Sequence, residues 1–130
     1  MTIADVSPAV AAALAHCEAW SSQDWDTARS MLAADVKVTA TTTRPIMPET
    51  NLSGADAYME GLKYFAGAVV PGSLQVNATV GDECNALLMV TVQAGFGPGG
   101  APVSLPGARL YLFDDEGKIK VEQVVFFVAV

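Results

Sequence analysis

Three ionisable side chains stand among apolar neighbours and could do chemistry: His16, Arg109 and Glu122. His16 is the only histidine, carried in the stretch ALAHCEAW. A neutral imidazole there can donate to a ligand carbonyl or act as a base near neutral pH. It can equally be a hydrogen-bonded core residue with no part in any reaction. Arg109 lies in PGARLYLF, on one strand face with Tyr111 and Phe113. A guanidinium on an aromatic face leaves water only if its charge is compensated, and Glu122 on the following strand is the partner at hand. A buried Arg109–Glu122 pair would either brace a wall of the fold or orient an anionic or enolate ligand. The rival placement of Glu122 is a solvated rim, because Lys118 and Lys120 share its strand parity. A register shift of one residue exchanges the two outcomes.

The elements that must hold these groups are readable from pattern. Ser7 and Pro8 are an N-cap and a first-turn proline. Val10, Ala13, Leu14, Cys17 and Trp20 follow at helical spacing, with His16 flanking that stripe. SSQD breaks the helix. Asp24 then caps a short second helix through about Ala34, with Ala28, Met31 and Leu32 as its buried face. DVKVTATTT changes to period two, Val36, Val38, Ala40 and Thr42 turning inward. RPIMPE, with Met47 between two prolines, reads as a loop or lid. Ser53 caps a third helix with Asp56 in the reciprocal capping-box position, and Tyr58, Leu62, Phe65 and Val69 form its apolar face. The remainder reads as sheet. LQVNATV buries Leu74, Val76, Ala78 and Val80, NALLMVTVQA is apolar on both faces at its start, and PGARLYLF and KIKVEQVVFFVAV flank the hairpin turn DDEG. This is an α+β chain with an antiparallel sheet. Its last strand is apolar on both faces from Val124, so a second subunit is expected to cover one of them.

Composition narrows the function. Hydrophobic residues make up 52% and charged residues 16% of 130, too few charges to coat every face, so apolar surface remains for a ligand or partner. A net charge of -7 argues against nucleic acid and anionic membranes. No apolar run reaches the roughly 20 residues of a membrane span. MTIADVSPAV has no basic segment ahead of an apolar core, so no signal peptide is expected. Cys17 and Cys84 show no metal-ligand spacing and are expected to be reduced core residues of a cytoplasmic protein; a disulfide between them is the alternative. GFGPGG, Gly95 to Gly100, matches the dinucleotide pattern G-x-G-x-x-G, but the helix whose N-terminus would hold a pyrophosphate is replaced by APVSLPGARL. It reads as a loop between strands.

The succession of helix, WSSQDWD, short helix, LAADVKV, LSGADA, helix and four strands ending GKIKVEQVVFF resembles the nuclear transport factor 2-like superfamily. Within it the likeness is to the SnoaL-like polyketide-cyclase group, related to ketosteroid isomerases and limonene-epoxide hydrolases, over about Ser7 to Phe127. The resemblance implies one domain over 1–130, a cone-shaped curved antiparallel sheet wrapped around three N-terminal helices and enclosing an apolar pocket. It also implies frequent homodimers through the outer sheet face. It puts His16 where ketosteroid isomerases have an oxyanion-stabilising tyrosine, and Ala40 where they keep the carboxylate base. Arg109 stands where they keep a protonated aspartate, and Val124 where epoxide hydrolases carry an aspartate. Ala40 and Val124 cannot do that chemistry, so neither activity carries over as such. In such a cone, Trp20, Tyr58, Phe65, Tyr111 and Phe126 belong to a core that merges with the pocket wall. Three functions follow as expectations. The first is cofactor-independent, metal-free proton transfer on an apolar carbonyl compound, with His16 as acid/base, Arg109 on the oxyanion and Glu122 as orienter or base. The second is a binding module for an apolar metabolite. The third is a structural dimerisation domain.

Overall fold

The structure is a computed structural model and describes residues 6–43 and 49–127; the segment around Met47, expected as a loop or lid, lies outside them. In chain order the elements are α1 (Pro8–Ser21), α2 (Trp25–Ser30), β1 (Leu32–Thr42), β2 (Thr50–Ser53), α3 (Ala55–Ala68), β3 (Gln75–Gly81), β4 (Asn85–Ala94), β5 (Val103–Phe113) and β6 (Ile119–Phe126). The strands form one open, curved sheet in the order β2-β1-β6-β5-β4-β3. The helices cover its inner face, where Ala86, Leu88, Val90 and Val92 of β4 meet Val10, Ala13, Cys17 and Trp20 of α1 in one buried cluster.

The α+β class is as expected, but the sheet is mixed, not antiparallel. β1 runs parallel to β6, with Val38 opposite Glu122 and Ala40 opposite Val124. Side-chain alternation reports the buried face and is the same for either strand direction, so pattern alone could not separate them. Nor are all three helices N-terminal to the sheet, since α3 follows β1 and β2.

The first helix starts as its sequence requires: the Ser7 hydroxyl accepts from the Val10 amide at 3.1 Å, ahead of Pro8. Asp24 caps α2 through the Thr27 amide at 3.3 Å. That helix ends at Ser30 rather than Ala34, because β6 captures its exit: the Ile119 amide donates to the Met31 carbonyl at 2.8 Å and Lys118 Nζ to the Ser30 carbonyl at 2.6 Å. Leu32 is therefore buried as a strand residue.

Ser53 does not cap α3. Its backbone belongs to β2, opposite Lys37, and the cap is Gly54 at φ 91°, without a side-chain hydrogen bond. Asp56 pairs with Arg29 of α2 instead of closing a capping box.

Two bulges decide which way strand residues point. In β3 the register shifts between Val76 and Ala78. Val76 sits beside Val90, while Ala78 and Val80 turn to the outer face beside Met89 and Leu87; β3 is an edge strand and none of the three is buried, so the expected buried row does not form. Val80 is 63% exposed. Where β6 meets β5 the register shifts between Leu112 and Phe113, so Lys120 is exposed while Ile119 and Glu122 are both buried. The parity that linked Glu122 to Lys118 and Lys120 is broken there. GFGPGG is a loop with a short 3-10 turn over Pro98–Gly100 leading into β5.

Candidate functional site

Between α3 and the inner faces of β1, β2, β5 and β6 lies a cavity of about 560 Å³. β1 lends it Val38 and Ala40, β6 lends Val124 and Phe126, and α3 lends Tyr58, Leu62 and Phe65. Its wall is mostly apolar, and its buried polar side chains Tyr58, Arg109 and Glu122 form one group. Arg109 and Glu122 are diagonal neighbours across β5 and β6, since Arg109 lies opposite Val124 and Tyr111 opposite Glu122. The Arg109 guanidinium donates to Glu122 Oε2 at 3.1 Å, and the Tyr58 hydroxyl donates to Glu122 Oε1. Both partners of the ion pair are nearly sealed from solvent, at 3% and 2% exposure. The cation also lies over two aromatic faces, 5.0 Å from the Trp20 ring and 5.5 Å from Phe65. Among the described residues Arg109 Nε has no hydrogen-bond partner.

The electrostatics follow from this burial. Burial opposes the Arg109 charge, but Tyr111, Glu122, Cys17 and Tyr58 outweigh it, and its pKa lies above the usual arginine value. Burial, the Glu122 charge and the hydrogen bond to it hold the Tyr58 hydroxyl well above the usual tyrosine range, so it stays a donor. Burial likewise raises the Cys17 thiol, which lies 3.5 Å from the Tyr111 hydroxyl.

The SnoaL-like domain family matches residues 13–122 of this sequence. The chain belongs to the SnoaL-like family. Solved structures agree on the fold. A protein from Kribbella flavida is 27% identical, with 92% of this chain and 86% of that chain covered at a TM-score of 0.74. Rv0760c from Mycobacterium tuberculosis, in complex with estradiol-17β-hemisuccinate, is 16% identical, with 91% and 92% covered at 0.74. A steroid delta-isomerase from Pseudomonas aeruginosa is 17% identical, with 94% and 82% covered at 0.69. Among curated proteins none matches this chain.

Within this SnoaL-like fold the ten residues singled out from sequence separate into two layers. Arg109, Glu122, Ala40, Tyr58, Phe65, Val124 and Phe126 line the cavity. Trp20, Tyr111 and His16 do not; they form the layer behind it. His16 is fully buried, with the rings of Tyr58 and Tyr111 edge-on to it at 6.0 and 5.9 Å. Neither of its ring nitrogens has a partner among the described residues. Tyr58 lines the cavity and its ring lies edge-on to His16, which is not itself part of the cavity wall. Sequence reasoning missed Leu52 and Thr50, because β2 is too short to show alternation. It also missed Phe96, the one large apolar residue of the glycine-rich loop, which stacks on Phe65 at 6.2 Å.

His16 carries a pH signature. Burial lowers its pKa below 6.5; Glu122 acts against that and Arg109 adds to it. As pH falls through 6.5 the unfolded chain takes up a proton that the folded protein refuses, so stability present above that pH is lost below it. For one group the slope is at most about 1.4 kcal/mol per pH unit. Urea melts at graded pH from 7.5 to 5 should show wild type losing this increment and His16→Phe not; parallel curves would refute it.

Proposed function

We propose that this SnoaL-like protein holds an apolar carbonyl compound in the cavity and moves a proton on it, an isomerase- or cyclase-type reaction that needs neither metal nor organic cofactor. The observation that carries the reading is a single buried polar group of residues, Tyr58–Glu122–Arg109, at the wall of a mostly apolar cavity. At 560 Å³ the cavity falls within the roughly 300–1,000 Å³ of small-molecule sites. Glu122 takes a proton from the carbon beside the carbonyl, and the electron pair moves to the carbonyl oxygen. Arg109 stabilises the resulting oxyanion, and Glu122 returns the proton to another carbon. His16 acts through Tyr58, as a positioning residue. A fold relative in complex with a steroid ester and another named as a steroid isomerase support this class of ligand. One observation favours binding without turnover instead: both Glu122 oxygens are already engaged.

The reading includes one domain over 1–130 in the cytoplasm, assembled as a homodimer through the outer sheet face. That face presents Leu87, Met89, Leu110, Leu112 and Val121 half-buried, and Val80 exposed. Both described cysteines are free, which suits a reducing compartment. No described helix is long and apolar enough to cross a membrane.

The test is to titrate a β,γ-unsaturated steroid ketone and follow formation of the conjugated enone by absorbance. Ala40→Phe places a ring in the middle of the cavity and is expected to weaken binding about 100-fold, about 2.7 kcal/mol, with the fold kept. Undiminished binding by that variant would place the ligand elsewhere.

A further inference from the structure

The cavity face of α3 is built from Tyr58, Gly61, Leu62 and Phe65, the spacing of one helical stripe. Three of these are large and one has no side chain. Glycine weakens a helix interior, and the backbone at Gly61 is ordinary helix, so conformation does not call for it. Space does. A Cβ at Gly61 would stand 2.8 Å from Leu52 Cδ1, whereas one at Gly67 in the same helix would meet nothing within 4 Å. Leu52 pairs with Val38 across β2 and β1, so both point to the inner face, and both line the cavity.

We infer that Gly61 is a specificity-determining residue: the missing side chain lets Leu52 lean against α3, which keeps the cavity wide enough for fused-ring ligands. A methyl group at this position turns the end of Leu52 back over the inner face and narrows the space between α3 and β2. Narrow ligands still fit; broad ones do not. The inference rests on the reading of the cavity as a ligand site.

Three ketones of increasing breadth test it: cyclohexanone, 2-decalone and androst-4-ene-3,17-dione, titrated calorimetrically into wild type, Gly61→Ala and Gly61→Ala/Leu52→Ala. Gly61→Ala should weaken the four-ring ketone about tenfold or more and leave the one-ring ketone within about twofold, and the added Leu52→Ala should restore the four-ring ketone. Equal losses for all three, or no rescue, would overturn the inference. If no ketone binds wild type, the ligand-site reading fails, and crystal structures of wild type and Gly61→Ala decide the rest. Leu52 turned into a smaller cavity upholds the role of Gly61; an unmoved Leu52 with α3 displaced overturns it.

Discussion

Arg109→Met is expected to cost about 3–5 kcal/mol of folding stability, much of it from Glu122 being left behind rather than from the lost attraction. Arg109 and Glu122 are sealed at 3% and 2% exposure, and the guanidinium sits over the Trp20 and Phe65 rings. Among the described residues, a carboxylate stranded in that shell keeps only the Tyr58 hydroxyl as a donor. Removing both charges relieves the strandedness. Arg109→Met/Glu122→Leu, with Tyr58→Phe to remove the orphaned hydroxyl, should therefore recover most of the loss and fold cooperatively, yet bind no carbonyl probe. Chemical denaturation of the single, double and triple variants measures this directly. Recovery of both stability and binding in the triple variant would show the polar group to be dispensable. No recovery at all would show that the side-chain volumes, not the charges, hold this part of the fold.

Glu122→Gln should lower turnover by about 10²–10⁴-fold while affinity for the same ligand changes little, because the amide keeps the shape and an acceptor for Tyr58 but cannot take up a proton. The measurements are steady-state rates with a β,γ-unsaturated steroid ketone beside equilibrium titration, with a thermal melt to report the Arg109 charge left without its counterion. A variant that keeps wild-type turnover removes Glu122 as the base. Wild type that binds the ketone without converting it points to the binding-module reading, which the engagement of both Glu122 oxygens already favours.

Much of the site was legible before any coordinates. A charged residue on an aromatic strand face leaves water only with a counter-charge, and the next strand offered Glu122, with a solvated rim as the rival placement; the pair forms at 3.1 Å. The Tyr58–Leu62–Phe65 face was visible from helical spacing, and those residues do line the cavity. The resemblance placed Ala40 and Val124 at the two positions where relatives have carboxylates, and both are apolar cavity wall here. The reach of His16 was not legible. Its helical phase put it at the flank of the apolar stripe of α1, but its distance from the cavity depends on Tyr58 and Tyr111, which arrive from α3 and β5 and lie edge-on to it. The burial of β3 failed for a similar reason: one bulge sends Ala78 and Val80 outward, the edge position leaves Val76 exposed as well, and an apolar alternation looks the same in either case.

By itself, then, the sequence determined the starts of the first two helices with their Ser7 and Asp24 caps, the apolar face of α3, the aromatic face of β5, the two candidates for a charge pair and the family. Each of these rests on local periodicity or on a chemical demand that a residue carries with it. Tertiary structure alone decided the parallel pairing of β1 with β6, the replacement of Ser53 by Gly54 as a cap, the layer in which His16 lies and the fit of Leu52 against Gly61. These depend on how separate elements meet. Bulges and close approaches set those distances, and residues far apart in the chain share no repeating pattern that would announce them.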